Sequence, residues 1–310
     1  MSRLILVPQY PTRLRYQEWW WREFPKQLKN YFDEVLVLGR NSGPFITASD
    51  DTFAPIAISM QFEAQQIKDY SKLKLRKDDV LLLNDLSFPG LFANVLFHKR
   101  PEKCFAICHA TSKNAYDYFA KDRRIKYPIE KATAKLFDSV FVATIYHAKK
   151  LGWKNIRIFP FPNPPFEGKQ RIKEYQVVSV ARPGLQKQSK RIEKALAKRG
   201  ITLIRPECES WKDYYTFLAK SKILLITAKE ETYGYQIIDA IKNNCIPIAP
   251  NRFSYPELLS EEYLYNDQNI YELIDLMIKI WDENLPVPRL YMQQNADEFY
   301  RRISNIMQNE

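Results

Sequence analysis

Glycine is scarce in this chain, at 8 of 310 residues. Gly-rich loops that wrap a phosphate in backbone N–H groups are therefore largely excluded, and a phosphate must be met by side chains or helix N-termini. The four cysteines (Cys104, Cys108, Cys208, Cys245) form no cluster of metal-ligand spacing, so reduced thiols are the simplest reading. No run approaches the ~18 uncharged apolar residues that suggest a membrane-spanning helix. The opening residues MSRLILVPQYP hold too short an apolar stretch for a signal peptide and no small-residue cleavage site; they read as a buried strand. A cytoplasmic location is the matching expectation. No Asp-x-Asp stands at a strand end, since Asp50-Asp51 and Asp78-Asp79 precede or lie between elements, so no metal is expected. Internal repeats and low-complexity tracts are also missing.

What is present is charge and aromatic surface. The net charge is +11 and aromatics reach 14%, a balance that favours polyanionic partners: nucleic acid, anionic lipid or a phosphorylated substrate. Along the chain, short β-branched or leucine-rich runs alternate with helical spacing. Strands are expected at 3–9, 34–39, 79–85, 104–110, 139–144 and 155–161, with helices at 16–31, 60–70, 89–98, 129–137 and 147–151 between them. The four prolines in FPFPNPPFEGKQR (159–171) can continue neither element and mark a linker. The alternation then restarts, with strands at 175–181, 201–206, 222–228 and 245–250, and helices at 187–199, 211–219, 235–243, 269–281 and 289–307. The expected architecture is α/β: two Rossmann-like, doubly wound parallel-sheet domains facing a cleft, with ligands at the carboxyl ends of the strands. The boundaries are 1–165 and 166–288, with a last helix in 289–310 returning to the first domain.

The most informative stretch is ETYGYQIIDA (231–240). A strand ends in a carboxylate pair, a turn follows at Thr232-Tyr233-Gly234, and a helix begins with its positive dipole end toward the same mouth, which suits a diphosphate. Glu231, Tyr233, Gly234, Asp239 and Ala240 stand in register with the signature of the retaining glycosyltransferases of family 4, the glycogen-synthase-like group with the GT-B fold, and the chain resembles that family here. Asn244-Cys245-Ile246-Pro247 and Pro256-Glu257-Leu258 look like the segments that follow it. Thr232 replaces the first glycine, and Asp239 replaces the second glutamate, one methylene shorter. Upstream, Arg182 and Lys187, five apart after a strand, resemble the pair that the family sets on the donor diphosphate; a leaving diphosphate gains charge in the transition state and fixed cations stabilise it. His109 at a strand end looks like the family's inward-facing histidine. Val140–Thr144 and 156–163 resemble the strands before its linker. Gln9-Tyr10-Pro11 stands where the family often carries a Gly-rich loop, so acceptor handling is expected to differ.

The resemblance implies a retaining hexosyltransferase with no permanently bound cofactor, taking a nucleotide-sugar, a UDP-sugar first of all. Glu231, Arg182, Lys187 and His109 are the catalytic candidates. Arg182, Lys187, Tyr233, Gly234, Tyr235 and Asp239 are the donor-binding candidates. Asp85, Asp117, Tyr10, Arg13 and Trp19 stand on the acceptor side; an inverting enzyme would need Asp85 or Asp117 as its base. Of the three consecutive tryptophans 19–21, at least one is expected to be exposed or at an interface. His98 and His147 read as surface residues, and the charged runs at 121–126, 147–154 and 187–199 as solvated faces. For the acceptor, basic residues such as Arg13, Arg15, Arg123 and Arg124, interleaved with Tyr10, Tyr16 and Trp20, suit a hydroxymethylated pyrimidine in duplex DNA. A surface polysaccharide or lipid-linked glycan, with peripheral membrane contact, is the other acceptor reading, and a non-catalytic nucleotide or nucleic-acid binder is the rival to an enzyme.

Overall fold

The computed structural model describes residues 2–40, 56–87, 90–116, 120, 122–163, 169, 171–180, 190–290 and 296–310. The chain divides into two compact units, Met1–Pro162 with Gln294–Glu310, and Asn163–Gln293.

Unit 1 runs β1 (Arg3–Val7), α1 (Tyr16–Leu28), β2 (Glu34–Val37), α2 (Ile56–Ser71), β3 (Asp79–Leu83), α3 (Leu91–Val95), β4 (Lys103–Ile107), α4 (Arg123–Ala134), β5 (Ser139–Val142), α5 (Ile145–Leu151) and β6 (Ile156–Ile158). Its six strands are all parallel, in the order β2-β1-β3-β4-β5-β6. The inner strands are buried end to end, which is why they read as unbroken apolar runs (RLILV, DVLLL, SVFV) rather than as alternations. Helix α5 has a strong local reason to form: the Thr144 hydroxyl accepts from His147 N at its start, and Gly152 closes it in the left-handed region with φ 65°.

Unit 2 runs β7 (Tyr175–Val178), α6 (Lys190–Lys198), β8 (Leu203–Ile204), α7 (Trp211–Ala219), β9 (Ser221–Leu225), α8 (Tyr235–Lys242), β10 (Ile246–Pro250), β11 (Leu264–Tyr265) and α9 (Ile270–Asp282). Its five strands are again parallel, in the order β11-β10-β9-β7-β8. Ser210 caps α7 by accepting from Asp213 N, and Asn269 caps α9 by accepting from Tyr271 N and Glu272 N. The α/β, doubly wound fold class expected from the sequence is thus the fold found. Helix α10 (Ala296–Asn309) belongs to unit 1. Phe299 and Tyr300 pack on Phe24 of α1, with ring centroids 5.9 and 5.2 Å away, and Arg157 pairs with Glu310 at 2.6 Å.

Several bounds differ from those read in the sequence. Helix α2 starts at Ile56 rather than at 60, and α4 starts at Arg123 rather than at 129, carrying Pro128 inside it. Residues 289–290 are not helical, and the two-residue strand β11 carries too few residues for a periodic signal.

One ion pair closes the amino end of the first sheet. Arg3 on β1 meets Asp79 on β3 through two bonds, Nε–Oδ1 at 2.7 Å and Nη2–Oδ2 at 2.6 Å, and Nη2 also donates to the Lys74 carbonyl. Burial alone would raise the Asp79 carboxyl, but the bonds from Arg3 and Arg76 outweigh it and hold it below its usual range. Removing one partner strands a buried charge, so Arg3→Met should cost about 3–5 kcal/mol, whereas the double change Arg3→Met, Asp79→Leu should recover most of it. Urea unfolding followed by hydrogen exchange of β1 tests this; a loss below about 1 kcal/mol for Arg3→Met would place the pair among ordinary surface bridges.

Candidate functional site

Polar side chains of unit 1 gather just past the carboxyl ends of β1, β3 and β4. Asp85 lies two residues beyond β3, is 3% exposed, and accepts on both oxygens: Oδ2 from Gln9 Nε2 at 2.7 Å and Tyr16 Oη at 3.1 Å, Oδ1 from Ser87 N at 2.8 Å, from the Ser87 hydroxyl, and from His109 N at 3.4 Å. Burial pushes its carboxyl up to about 6, against the pull of the Ser87, His109 and Tyr16 bonds toward the charged form. His109 is boxed by aromatic rings: Tyr16 stacks on it at 4.3 Å, with Trp20 at 4.5 Å and Phe161 at 4.8 Å. Burial first, and then the neighbouring His147, hold its pKa well below the usual value, so the imidazole is neutral at pH 7. The next loop is braced by Glu130, which accepts from the Thr111 hydroxyl and Ser112 N, both at 2.8 Å.

The other acceptor-side candidates divide. Tyr10 is half-buried, edge-on to Phe62 at 5.5 Å, and Arg13 is exposed on the loop between β1 and α1. Trp19 is 3% exposed and packs on Trp20, so it is an interior packing residue rather than an open stacking surface; Trp20 is buried too, and Trp21 is half-buried. Asp117 lies outside the described residues. Ser87 and Gln9 are the members that sequence reasoning missed as site residues, and Tyr16, expected as an aromatic to stack on an acceptor base, instead donates to Asp85. Ser87 carried a faint signal, as a hydroxyl two residues after an aspartate, which suits an Asx-type turn.

His147 corrects the sequence reading. It was expected on the surface, but it is 1% exposed. On a helix of seven residues, Thr144, His147 and Leu151 share the face turned to the core while Ile145 and Lys149 take the solvent.

In unit 2 the turn between β9 and α8 gathers Glu231, Tyr233, Gly234 and Tyr235 within one bend. Glu231 is half-buried and its Oε1 accepts from Thr232 N at 3.1 Å. Gly234 is the N-cap of α8, with φ 111°, and a Cβ there would stand 3.0 Å from Leu258 Cδ1, so both backbone and space call for glycine. Tyr233 is buried, its carbonyl accepts from the Ser254 hydroxyl at 2.9 Å, and its ring meets Tyr235 edge-on at 5.0 Å. The bend sets a half-buried carboxylate beside the positive end of α8, where the first helical N–H groups lack intrahelical partners. Asp239 is placed differently, one turn into α8 and buried, accepting from Tyr214 Oη at 3.1 Å and Tyr215 Oη at 3.3 Å of α7. Burial pushes it up to about 7. Arg182 and Lys187 lie outside the described residues.

The buried histidine gives a pH signature. Burial, then Lys150, push the His147 ring down to about 3, while the unfolded ring titrates near 6.5. The unfolded chain therefore binds the extra proton first, and the stability His147 contributes is present above about pH 6.5 and is lost as pH falls toward 3, by about 1.4 kcal/mol per pH unit. The difference in urea midpoint between wild type and His147→Gln, followed from pH 7 to 5, should shrink steadily on acidification; a pH-independent difference would mean that the ring takes up its proton as readily in the folded state as in the unfolded one.

No family model matches the chain. Among curated proteins it is similar to the tRNA-queuosine alpha-mannosyltransferase of Drosophila melanogaster, 31% identical over 93 residues, a match covering 30% of this chain and 23% of that protein. Among solved structures it is similar to sucrose-phosphate synthase from Thermosynechococcus elongatus, with TM-score 0.67 and 13% identity over 100% of this chain and 95% of that one. HepE of Anabaena, in complex with UDP and glucose, matches with TM-score 0.63 and 11% identity over 99% of this chain and 96% of that one. The pneumococcal O-GlcNAc transferase GtfA, in complex with UDP and GlcNAc, matches with TM-score 0.51 and 14% identity over 78% and 56%. The fold is that of the GT-B glycosyltransferases.

Proposed function

We propose that this chain of GT-B fold is a nucleotide-sugar-dependent glycosyltransferase, and that unit 2 holds the donor at the bend before α8. The observation that carries this reading is the bend itself: Glu231, the Gly234 cap and the start of α8 stand together, in the order of the family 4 signature. Fold neighbours bound to UDP support a UDP-sugar as donor. In this reading Glu231 accepts from a sugar hydroxyl, and the positive end of α8, together with Arg182 and Lys187, takes the charge that builds on the departing diphosphate. Tyr233 and Tyr235 line the bend, and Asp239 serves the donor from behind by fixing Tyr214 and Tyr215 against α8. In unit 1, His109 stays neutral in its aromatic box, and its assignment to the sugar rests on the resemblance alone. The signature belongs to retaining enzymes, and retention is the stereochemistry proposed.

Glu231→Ala should lower turnover by at least about tenfold through loss of a charge-assisted bond. UDP release and mass-shifted product measured over a panel of UDP-hexoses check this. Turnover like that of wild type in the variant removes Glu231 from the reaction.

The acceptor proposed is a hydroxyl on a modified base of nucleic acid. The net charge of +11 exceeds what one diphosphate needs, and the curated relative is named for a modified tRNA nucleoside. A modified tRNA and hydroxymethylated duplex DNA are the two substrates to compare. A second reading has its own observation: on α4, Ile125 (67% exposed) and Ile129 (48% exposed) stand beside Arg123 and Arg124, the pattern of a helix lying on an anionic membrane, which would bring a lipid-linked glycan. Binding to tRNA or DNA should weaken steeply with salt, by a slope set by the number of phosphates contacted. Capture by anionic liposomes, with neither nucleic acid bound at low salt, would turn the assignment to the glycan.

A further inference from the structure

The β1–α1 loop is tied down at both ends. Its two flanks, Gln9 and Tyr16, both donate to Asp85 Oδ2, at 2.7 and 3.1 Å. Just before α1, Leu14, held in the left-handed region at φ 58°, donates its N–H to Glu18 Oε2 at 2.7 Å, and Glu18 pairs with Arg22 at 2.9 Å. Between them Thr12 N donates to the Tyr10 carbonyl at 2.8 Å. The exposed Arg13 rides on this strapped loop. The second oxygen of Asp85 reaches the end of β4, where His109 N and Ala110 N also donate to the Ser87 hydroxyl at 3.1 and 2.7 Å.

We propose that Asp85 is a positioning residue whose ionised carboxylate joins the β1–α1 loop and the end of β4 into a single acceptor-facing wall, presenting Arg13 and His109 in fixed register. This rests on the reading that unit 1 receives the acceptor. The chemistry is in the donor set. Gln9, Tyr16, Ser87 and the His109 amide are all neutral donors, and each oxygen accepts from two residues. Proton uptake turns one oxygen into a donor facing donors, and turns charge-assisted bonds into neutral ones of roughly half the strength. The titratable groups around it do not replace the lost charge. Tyr16 is one of its donors, Cys108 is held protonated by burial, and His109 and the His147 behind it are neutral, with Lys150 beside His147. The wall should therefore loosen as pH falls through the Asp85 titration, and acceptor use should fall with it while donor handling in unit 2 does not.

Two measurements test this. The first needs no activity: hydrogen exchange of the peptide spanning residues 9–16, corrected for intrinsic pH dependence and referenced to a unit 2 peptide. In wild type the protection should fall between about pH 7.5 and 5. In Tyr16→Phe, which keeps the ring stacked on His109 but removes a donor that favours the ionised form, the midpoint should move to higher pH. In Asp85→Asn the pH dependence should vanish. The second is kinetic: Asp85→Asn should raise the acceptor KM by about tenfold, while affinity for UDP, held in unit 2, stays within about twofold. Wild-type protection that ignores pH, a midpoint unmoved by Tyr16→Phe, or an equal loss of UDP affinity in Asp85→Asn each overturns the proposal. A wild type that transfers no sugar to any acceptor, with the exchange behaviour intact, removes the enzymatic reading and leaves the Asp85 wall standing.

Discussion

The parallel pairing of β1 with β3 is the constraint on which unit 1 depends. The register matches Arg3 with Asp79 and Val7 with Leu83, an offset of 76 residues. The same offset continues beyond the sheet, where Gln9 meets Asp85. One alignment thus carries a buried ion pair at the amino edge and a buried hydrogen-bonded carboxylate at the carboxyl edge. A slip of one residue would turn every side chain of β1 to the other face of the sheet, and it would break both polar contacts together. The ion pair discriminates between registers strongly, because a misplaced Arg3 would leave Asp79 charged and buried without its partner.

The two units solve the same problem, a carboxylate inside the protein, with neutral groups rather than cations. Asp85 sits among an amide, two hydroxyls and backbone N–H groups, and Asp239 between two tyrosine hydroxyls. Burial raises both carboxyls, and neutral donors offset it less than an arginine does, so they titrate near neutrality, at about 6 and about 7, unlike Asp79, which Arg3 holds low. The scarcity of glycine belongs to the same economy of means. Where a bend is needed next to α8, one glycine supplies the left-handed turn, and side chains supply the rest.

The fold was legible because both sheets are parallel and covered, so their inner strands read as short apolar runs separated by helical spacing. The bend before α8 was legible for another reason: its residues are contiguous, and a contiguous motif keeps its spacing in any fold. Asp85, Gln9, Ser87 and Tyr16 were not legible as a set, because their meeting depends on strand register across 76 positions and on where α1 begins. His147 was misread, and the inward pair among the three tryptophans left open, for want of rotational phase. On a seven-residue helix the phase is set by the cap at Thr144 rather than by an apolar stripe, and in a run of three tryptophans composition does not say which two turn inward.

Helix α10 carries a consequence for how the chain is made. It supplies Phe299 and Tyr300 to the aromatic packing of α1 and β6's neighbour Phe159, but it is encoded after the whole of unit 2. A ribosome working at ~5–20 residues per second needs roughly 7–26 s to pass from the end of the first segment of unit 1 to its last one. Through that interval unit 2 is made strand by strand while unit 1 waits with Phe24 and Phe159 uncovered by α10, a sticky surface on a nascent chain. The order of completion is then the reverse of the order of synthesis.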